Sequence, residues 1–286
     1  MSNPAPSAGA DPMVSTAELA SELGAPDLRL LDSSWFMDGR DARAGWRAAH
    51  IPGAGFFDID AVADPDSSLP HMLPSPEAFA VAAGALGISR DDRIVIYDQA
   101  GLFSAPRGWW TFRAMGATRV RVLDGGLPKW RAEGRRLESG SEAAAPAVFE
   151  PRFQGHLVRN FDQVRANLEA QTFQLLDARA APRFRGETPE PRAGLRSGHA
   201  PGAVNTPFAE LLQANGTLKD RVALQALFAE KSVNLQGALV ATCGSGLTAA
   251  IVALALARLG RSDVAIYDGS WSEWGSRGDA PVATGP

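Results

Sequence analysis

The chain has 286 residues, 45% of them hydrophobic and 21% charged, with 28 Lys and Arg against 32 Asp and Glu, a formal charge of −4. That apolar content supplies a core for one large or two ordinary domains and excludes wholesale disorder and fibrous repeats. The mild acidity favours neither nucleic acid nor an anionic membrane as partner, and a single cysteine excludes a disulfide scaffold or a multi-cysteine zinc site. A reducing compartment is the expectation, and the cytoplasm fits it.

Residues 1–13 are rich in Pro, Ala and Ser and read as a disordered tail; no Lys or Arg precedes Arg29, so the basic residues of a signal or transit peptide are missing. Apolar runs then alternate with helical patterns: Leu28–Leu31, Ile94–Tyr97 and Val120–Leu123, followed by Phe173–Leu176, Leu239–Thr242 and Val264–Tyr267. Such alternation predicts βαβ units around a mostly parallel sheet, an α/β fold. Ser75-Pro76-Glu77 reads as a helix start, with Ser as cap and Pro at the first helical position, and this helix should end near Gly87. A second helix is expected from about Gly246 to Leu259, with Leu247, Ile251, Leu254 and Leu259 facing a core. Within it lies the longest apolar stretch, Ala249 to Ala257, which stops at Arg258, far short of the ~20 residues of a membrane span.

The two halves share short strings in the same order. Leu30-Leu31-Asp32 recurs as Leu175-Leu176-Asp177, offset by 145; His50-Ile51-Pro52-Gly53-Ala54 recurs as His199-Ala200-Pro201-Gly202-Ala203, offset by 149. Asp124-Gly125-Gly126 with Trp130 recurs as Asp268-Gly269-Ser270 with Trp274, offset by 144. The chain therefore reads as two tandem copies, 14–138 and 159–280, joined by a linker over 139–158 that opens with the helix-breaking Ser139-Gly140-Ser141. Offset by 145, Cys243 falls opposite Asp98, so one scaffold carries a thiol in one copy and a carboxylate in the other.

Cys243-Gly244-Ser245-Gly246-Leu247-Thr248-Ala249 lies between an expected strand and an expected helix. Two glycines let the backbone curl with its N–H groups inward, and a helix N-terminus adds its positive end; such a nest stabilises anionic sulfur and makes a nucleophile of the thiol. The carboxyl end of a strand is also where open α/β sheets bind ligands. A lone cysteine in an apolar segment is otherwise a small core residue. A cysteine phosphatase would need Arg six positions after the cysteine, where this chain has Ala249.

The cysteine loop and the tandem repeats, with Ala49-His50-Ile51-Pro52-Gly53-Ala54, Ser104-Ala105-Pro106-Arg107, Pro189-Glu190-Pro191-Arg192 and Tyr267-Asp268-Gly269-Ser270-Trp271, resemble the two-domain rhodanese superfamily, in its 3-mercaptopyruvate-using branch. The likeness runs from about Val14 to Ala280. It implies two rhodanese-like domains, the first inactive, and a ping-pong reaction. Cys243 takes sulfur from 3-mercaptopyruvate as a persulfide, pyruvate leaves, and the sulfur passes to a thioredoxin-like dithiol, a small thiol or cyanide. By the same resemblance Arg183 and Arg192 hold the donor carboxylate, while Gly244, Gly246, Leu247 and Thr248 complete the binding loop. Ser245, His71 and Asp60 match an Asp–His pair reaching toward the loop serine, a route for moving protons.

Thiosulfate-type relatives carry cations at the second and third loop positions. Gly244 and Ser245 are neutral, which argues for a mercapto-keto acid and makes thiosulfate a poor donor. A thiosulfate:cyanide sulfurtransferase and a non-catalytic persulfide-carrier module remain the alternatives. His50 and His199 recur in both copies before Pro-Gly turns and read as structural, as do Asp32 and Asp177, while Arg179 and Arg185 are left outside the site. Trp109, Trp110, Trp271 and Trp274 are expected in core and interface. His50, His71, His156 and His199 show no metal-ligand spacing, and no cofactor is expected.

Overall fold

The computed structural model describes residues 11–140 and 144–286. The first copy forms strands β1 (Met13–Val14), β2 (Leu28–Asp32), β3 (Ala54–Phe56), β4 (Arg93–Tyr97) and β5 (Val120–Leu123); the second forms β6 (Val158–Arg159), β7 (Phe173–Asp177), β8 (Val204–Asn205), β9 (Ala238–Thr242) and β10 (Ala265–Tyr267). Each set makes one all-parallel sheet, in the orders β1-β5-β4-β2-β3 and β6-β10-β9-β7-β8, so the duplication read in the sequence is a duplication of topology. β4 and β9 lie centrally, buried on both faces by flanking helices, which is why Ile94-Val95-Ile96-Tyr97 and Leu239-Val240-Ala241-Thr242 read as continuous apolar runs.

Local chemistry sets the helix starts. Ser75 Oγ accepts from Ala78 N–H at 3.1 Å and Pro76 takes the first helical position, as its sequence predicts. The helix expected from Gly246 begins only at Ala249, because Gly246 sits at φ +74°, outside helical backbone, and closes a turn instead.

Several boundaries move. Met13 is a buried strand residue paired with Val122, so it belongs to the first domain and not to the tail assigned over 1–13; residues 1–10 lie outside the described residues. The linker assigned over 139–158 is not slack in its described second half. Ala147 and Arg152 donate their N–H groups to Gly84 and Met115 carbonyls at 2.9 Å, and Phe149 is buried against Phe79 and Phe112, burial that its isolation among small residues concealed. Residues 141–143 lie outside the described residues. Beyond residue 280, Ala283 pairs with His199 through two 2.9 Å backbone bonds, extending the second domain.

The domains share a core. The helix Ala105–Ala114 packs on the helix Ala249–Arg258, and Trp109, Trp110 and Phe112 join Ile251 and Leu254 in one apolar cluster. Residues Ala249 to Leu256 are all buried, which explains a helix apolar all round that spans no membrane. The contact repeats about a pseudo-twofold: Asp268 Oδ2 accepts from Leu73 N–H at 2.8 Å, and Asp124 Oδ1 from Leu218 N–H at 2.9 Å. Trp271 and Trp274 pack in the second domain's own core.

Candidate active site

Cys243 follows the last residue of β9 and is 2% exposed. Its N–H donates to Ser270 Oγ at 3.2 Å and its carbonyl accepts from Trp271 N–H at 3.0 Å. Gly244 O accepts from Ser272 through N–H at 2.8 Å and Oγ–H at 2.7 Å, so the segment after β10 pins the first two loop residues. From there on the loop is open. Among the described residues, the amides of Gly244 to Ala249 donate to no protein acceptor, and the helix that follows starts without a side-chain cap.

The first domain shows what this loop accommodates. Asp98 directly follows β4 and is fully buried; its Oδ1 accepts from Ala100 N–H at 2.9 Å, and its Oδ2 from Phe103, Ser104 and Ala105 at 2.8, 2.9 and 2.8 Å. Four amides at a helix N-terminus thus converge on one carboxylate. In the second domain the same turn holds a shorter side chain and leaves its amides for something else.

Two arginines border the open loop. A Cβ at Gly244 would lie 3.2 Å from Arg183 Nη2 and 4.0 Å from Arg192 Nη1, so glycine keeps the gap between thiol and guanidinium groups clear. Arg183 is fixed from behind: Glu190, its side chain 1% exposed, accepts from Arg183 Nη2 at 2.5 Å and from Arg179 Nη1 at 2.9 Å. Arg179 is fully buried, bridges Asp177 and Glu190, and stacks 4.2 Å over Trp271. Arg192 makes no ion pair or hydrogen bond with a described residue, leaving its fork free. Arg185 pairs on the surface with Glu187.

The first domain supplies the facing wall. His71 Nδ1 and Asp60 Oδ1 are 2.7 Å apart, and Asp60 Oδ2 accepts from Trp35 Nε1 at 2.9 Å. The His71 bond chiefly, with Trp35 and nearby Arg192, holds Asp60 below the usual carboxylate range against partial burial. His71 Nε2 is buried without a partner among the described residues. The Arg107 guanidinium ties the walls together: Nη2 donates to His71 O, Nη1 to Gly246 O at 3.3 Å and to Asp268 Oδ1 at 2.6 Å. Both members of the Arg107–Asp268 pair are buried, so the clamp joins the domains where solvent is excluded.

The structure thus gathers Cys243, Ser245, His71, Asp60, Arg183 and Arg192 at one domain junction, with Gly246, Leu247 and Thr248 in the open turn. Ser245 is 7% exposed, but no hydrogen bond joins it to His71. His50 and His199 lie away from the thiol, with Nδ1 at 2.7 and 2.8 Å from the carbonyls of Trp46 and Phe184. Asp32 and Asp177 accept from backbone N–H groups two residues on. Sequence reasoning gave no role to Arg107, Asp268, Glu190 or Trp35. Asp268 recurs with Asp124 and Arg107 ends the string Ser104-Ala105-Pro106-Arg107, yet neither signal says that the two meet across the domains. Among the described residues, no group of three or more His, Cys, Asp or Glu is arranged to hold a metal, and no helix is long and apolar enough to cross a membrane.

Duplicated five-stranded parallel sheets, a single thiol at the end of a central strand and an amide-lined turn define a class of two-domain α/β proteins in which one half carries the thiol. The rhodanese-like domain model matches residues 15–133 and 160–277, and the chain belongs to that family. The human 3-mercaptopyruvate sulfurtransferase is 47% identical over 92% of this chain and 91% of its own length. The rat thiosulfate sulfurtransferase is 45% identical over 95% and 94%. The crystal structure of SseA, an Escherichia coli 3-mercaptopyruvate sulfurtransferase, superposes with a TM-score of 0.84 at 39% identity, covering 92% of this chain and 99% of that one.

Proposed function

We propose that the protein is a 3-mercaptopyruvate sulfurtransferase whose Cys243 carries the transferred sulfur as a persulfide. The observation that carries this reading is the filled turn of Asp98 beside the open turn of Cys243. An aspartate places its terminal oxygens three bonds from Cα, as a persulfide places its outer sulfur. The amides that hold Asp98 therefore have counterparts suited to Cys–S–S⁻, and they favour the charged product over the shorter thiol.

The Cys243 thiolate attacks the donor sulfur. An S–S bond forms, the donor C–S bond breaks, and its electron pair goes to the methylene carbon, which takes up the proton the donor sulfur gives up. Pyruvate leaves, and the carbon is reduced as the transferred sulfur is oxidised, so no external redox partner is needed. We assign the proton movement to His71, a reading supported by its Nδ1 contact with Asp60, which leaves Nε2 unbonded, and by Ser245 adjoining the Gly246 that Arg107 ties to the His71 carbonyl. Arg192, with its fork free, and Arg183, oriented by Glu190, bind the donor carboxylate. The sulfur then passes to a thioredoxin-like dithiol, a small thiol or cyanide. A reducing compartment, for which we propose the cytoplasm, keeps the thiol free.

Whole-chain likeness does not choose the donor, since relatives named for either compound match at 47% and 45%. The loop does: with Gly and Ser at its second and third positions, the turn offers no cation to a sulfonate. Intact mass spectrometry tests the reading. Incubation with 3-mercaptopyruvate should add about 32 Da, one sulfur, to the wild type and nothing to Cys243→Ser. A wild type left unloaded by small donors would instead be a carrier module fed by protein partners.

A further inference from the structure

We propose that Trp35 is a positioning residue for sulfur transfer: its indole N–H locks Asp60, and through Asp60 sets the orientation and tautomer of His71. The inference rests on the proton-moving role of His71 proposed above. Asp60 is exposed, its side chain 58% accessible, so packing alone does not fix its rotamer. Its two oxygens are instead divided between two donors, Oδ1 to His71 at 2.7 Å and Oδ2 to Trp35 Nε1 at 2.9 Å. The indole also meets the imidazole edge-on, with centroids 4.9 Å apart at 83°.

Trp35 is itself anchored. Its backbone N–H donates to Ser104 Oγ at 3.0 Å, and Ser104 N–H donates to Asp98 Oδ2 at 2.9 Å. Ser104 directly precedes the helix that carries Arg107, which grips the His71 carbonyl. His71 is therefore held at both ends, side chain through Asp60 and Trp35, main chain through Arg107, and both supports root in the turn built around Asp98. That double hold fits its backbone, since His71 sits at φ +62°, a left-handed conformation costly for a residue with a Cβ. The domain without a thiol thus acts as the scaffold of the proton-moving pair.

The chemistry needs this lock. With two N–H donors aimed at it, Asp60 must accept at both oxygens, so it stays ionised and keeps the His71 proton on Nδ1. The charged or titratable groups acting on Asp60 are His71 and Arg192, and losing the indole N–H removes one of the bonds that favour its ionised form. Without that bond the exposed carboxylate is free to rotate, and the His71 ring loses the partner that fixes its orientation and tautomer.

Trp35→Phe tests this, because it keeps an aromatic edge against His71 and deletes only the N–H. With 3-mercaptopyruvate, kcat should fall about tenfold while KM stays within about twofold. His71→Asn should lose more, and Trp35→Phe should cost nothing further in its background. A matched thermal melt shows that the variant folds, and Asp60→Asn should reproduce the phenotype without touching the indole. An unchanged kcat, a loss confined to KM, or losses that add independently would overturn the assignment to Trp35. Wild-type turnover in His71→Asn would instead remove the pair from the mechanism, and the inference with it.

Discussion

Asp98 and Cys243 close the same turn in the two halves of the chain, each one residue past a central strand, and only the carboxylate satisfies the turn's amides. The relationship is energetic as well as geometric. A turn with several unpaired amides at a helix N-terminus is a place where a bound anion is stabilised, and the first domain supplies that anion covalently.

Cys243→Asp should therefore fill the second turn as Asp98 fills the first. The variant will be inactive, yet at pH 7 it should exceed Cys243→Ser in stability by about 1–2 kcal/mol, a rise in melting temperature of about 2–6 °C. The gain requires the charged carboxylate and should vanish in the most acidic buffers. Paired thermal melts read this directly, and equal melting temperatures at pH 7 would show that the turn does not favour anions.

Arg192 and Arg183 differ in how they are held, and their variants should differ accordingly. Arg192→Ala removes a free fork and should lower kcat/KM for 3-mercaptopyruvate roughly a hundredfold, about 3 kcal/mol for a charged, bidentate contact, with little effect on stability. Arg183→Ala also leaves Glu190 buried with Arg179 alone, so it should lower both kcat/KM and the melting temperature. Kinetics and melts on both variants check the split.

The Arg107 guanidinium bonds to Gly246, Asp268 and His71 and not to Cys243, yet its loss should be severe. Arg107→Met leaves Asp268 buried without its ion-pair partner and frees the carbonyls of His71 and Gly246, a cost of about 3–5 kcal/mol. Denaturant unfolding should show that loss, and residual folded protein should turn over slowly.

Asp32 gives a pH signature of a different sign. Burial outweighs its bonds from Ser34 and Gln99 and pushes its carboxyl up from 3.8 to about 6, whereas the equivalent Asp177 has Arg179 beside it. A folded-state value above the unfolded one means that the folded protein holds the proton more tightly. This group's penalty is therefore absent below about pH 4, grows between about 4 and 6, and reaches roughly 3 kcal/mol above that. The melting temperature of Asp32→Asn relative to wild type should improve by several degrees between pH 4 and pH 7.5, and a constant difference would contradict this account.

The sheets, the duplication and the cysteine turn were legible because they are written locally. Apolar runs such as Ile94–Tyr97 recur with an offset near 145, and Cys243 stands out by the Asp98 opposite it. The wall of the site was legible only through family likeness, since nothing near His71 in sequence announces that Arg107 brings its carbonyl beside Gly246. Trp35 was not legible at all: an isolated tryptophan shows no sign that its N–H rather than its ring is the working part. Phe149 in the linker failed for the same reason, because burial against Phe79 and Phe112 is a long-range fact.

The most direct measurement compares kcat/KM for 3-mercaptopyruvate and thiosulfate on one preparation, with Cys243→Ser as the blank. A neutral turn flanked by carboxylate-binding arginines predicts a preference for 3-mercaptopyruvate of at least about a hundredfold, with no turnover in the blank. Equal or better use of thiosulfate would contradict the substrate assignment, and turnover in the blank would contradict the nucleophile.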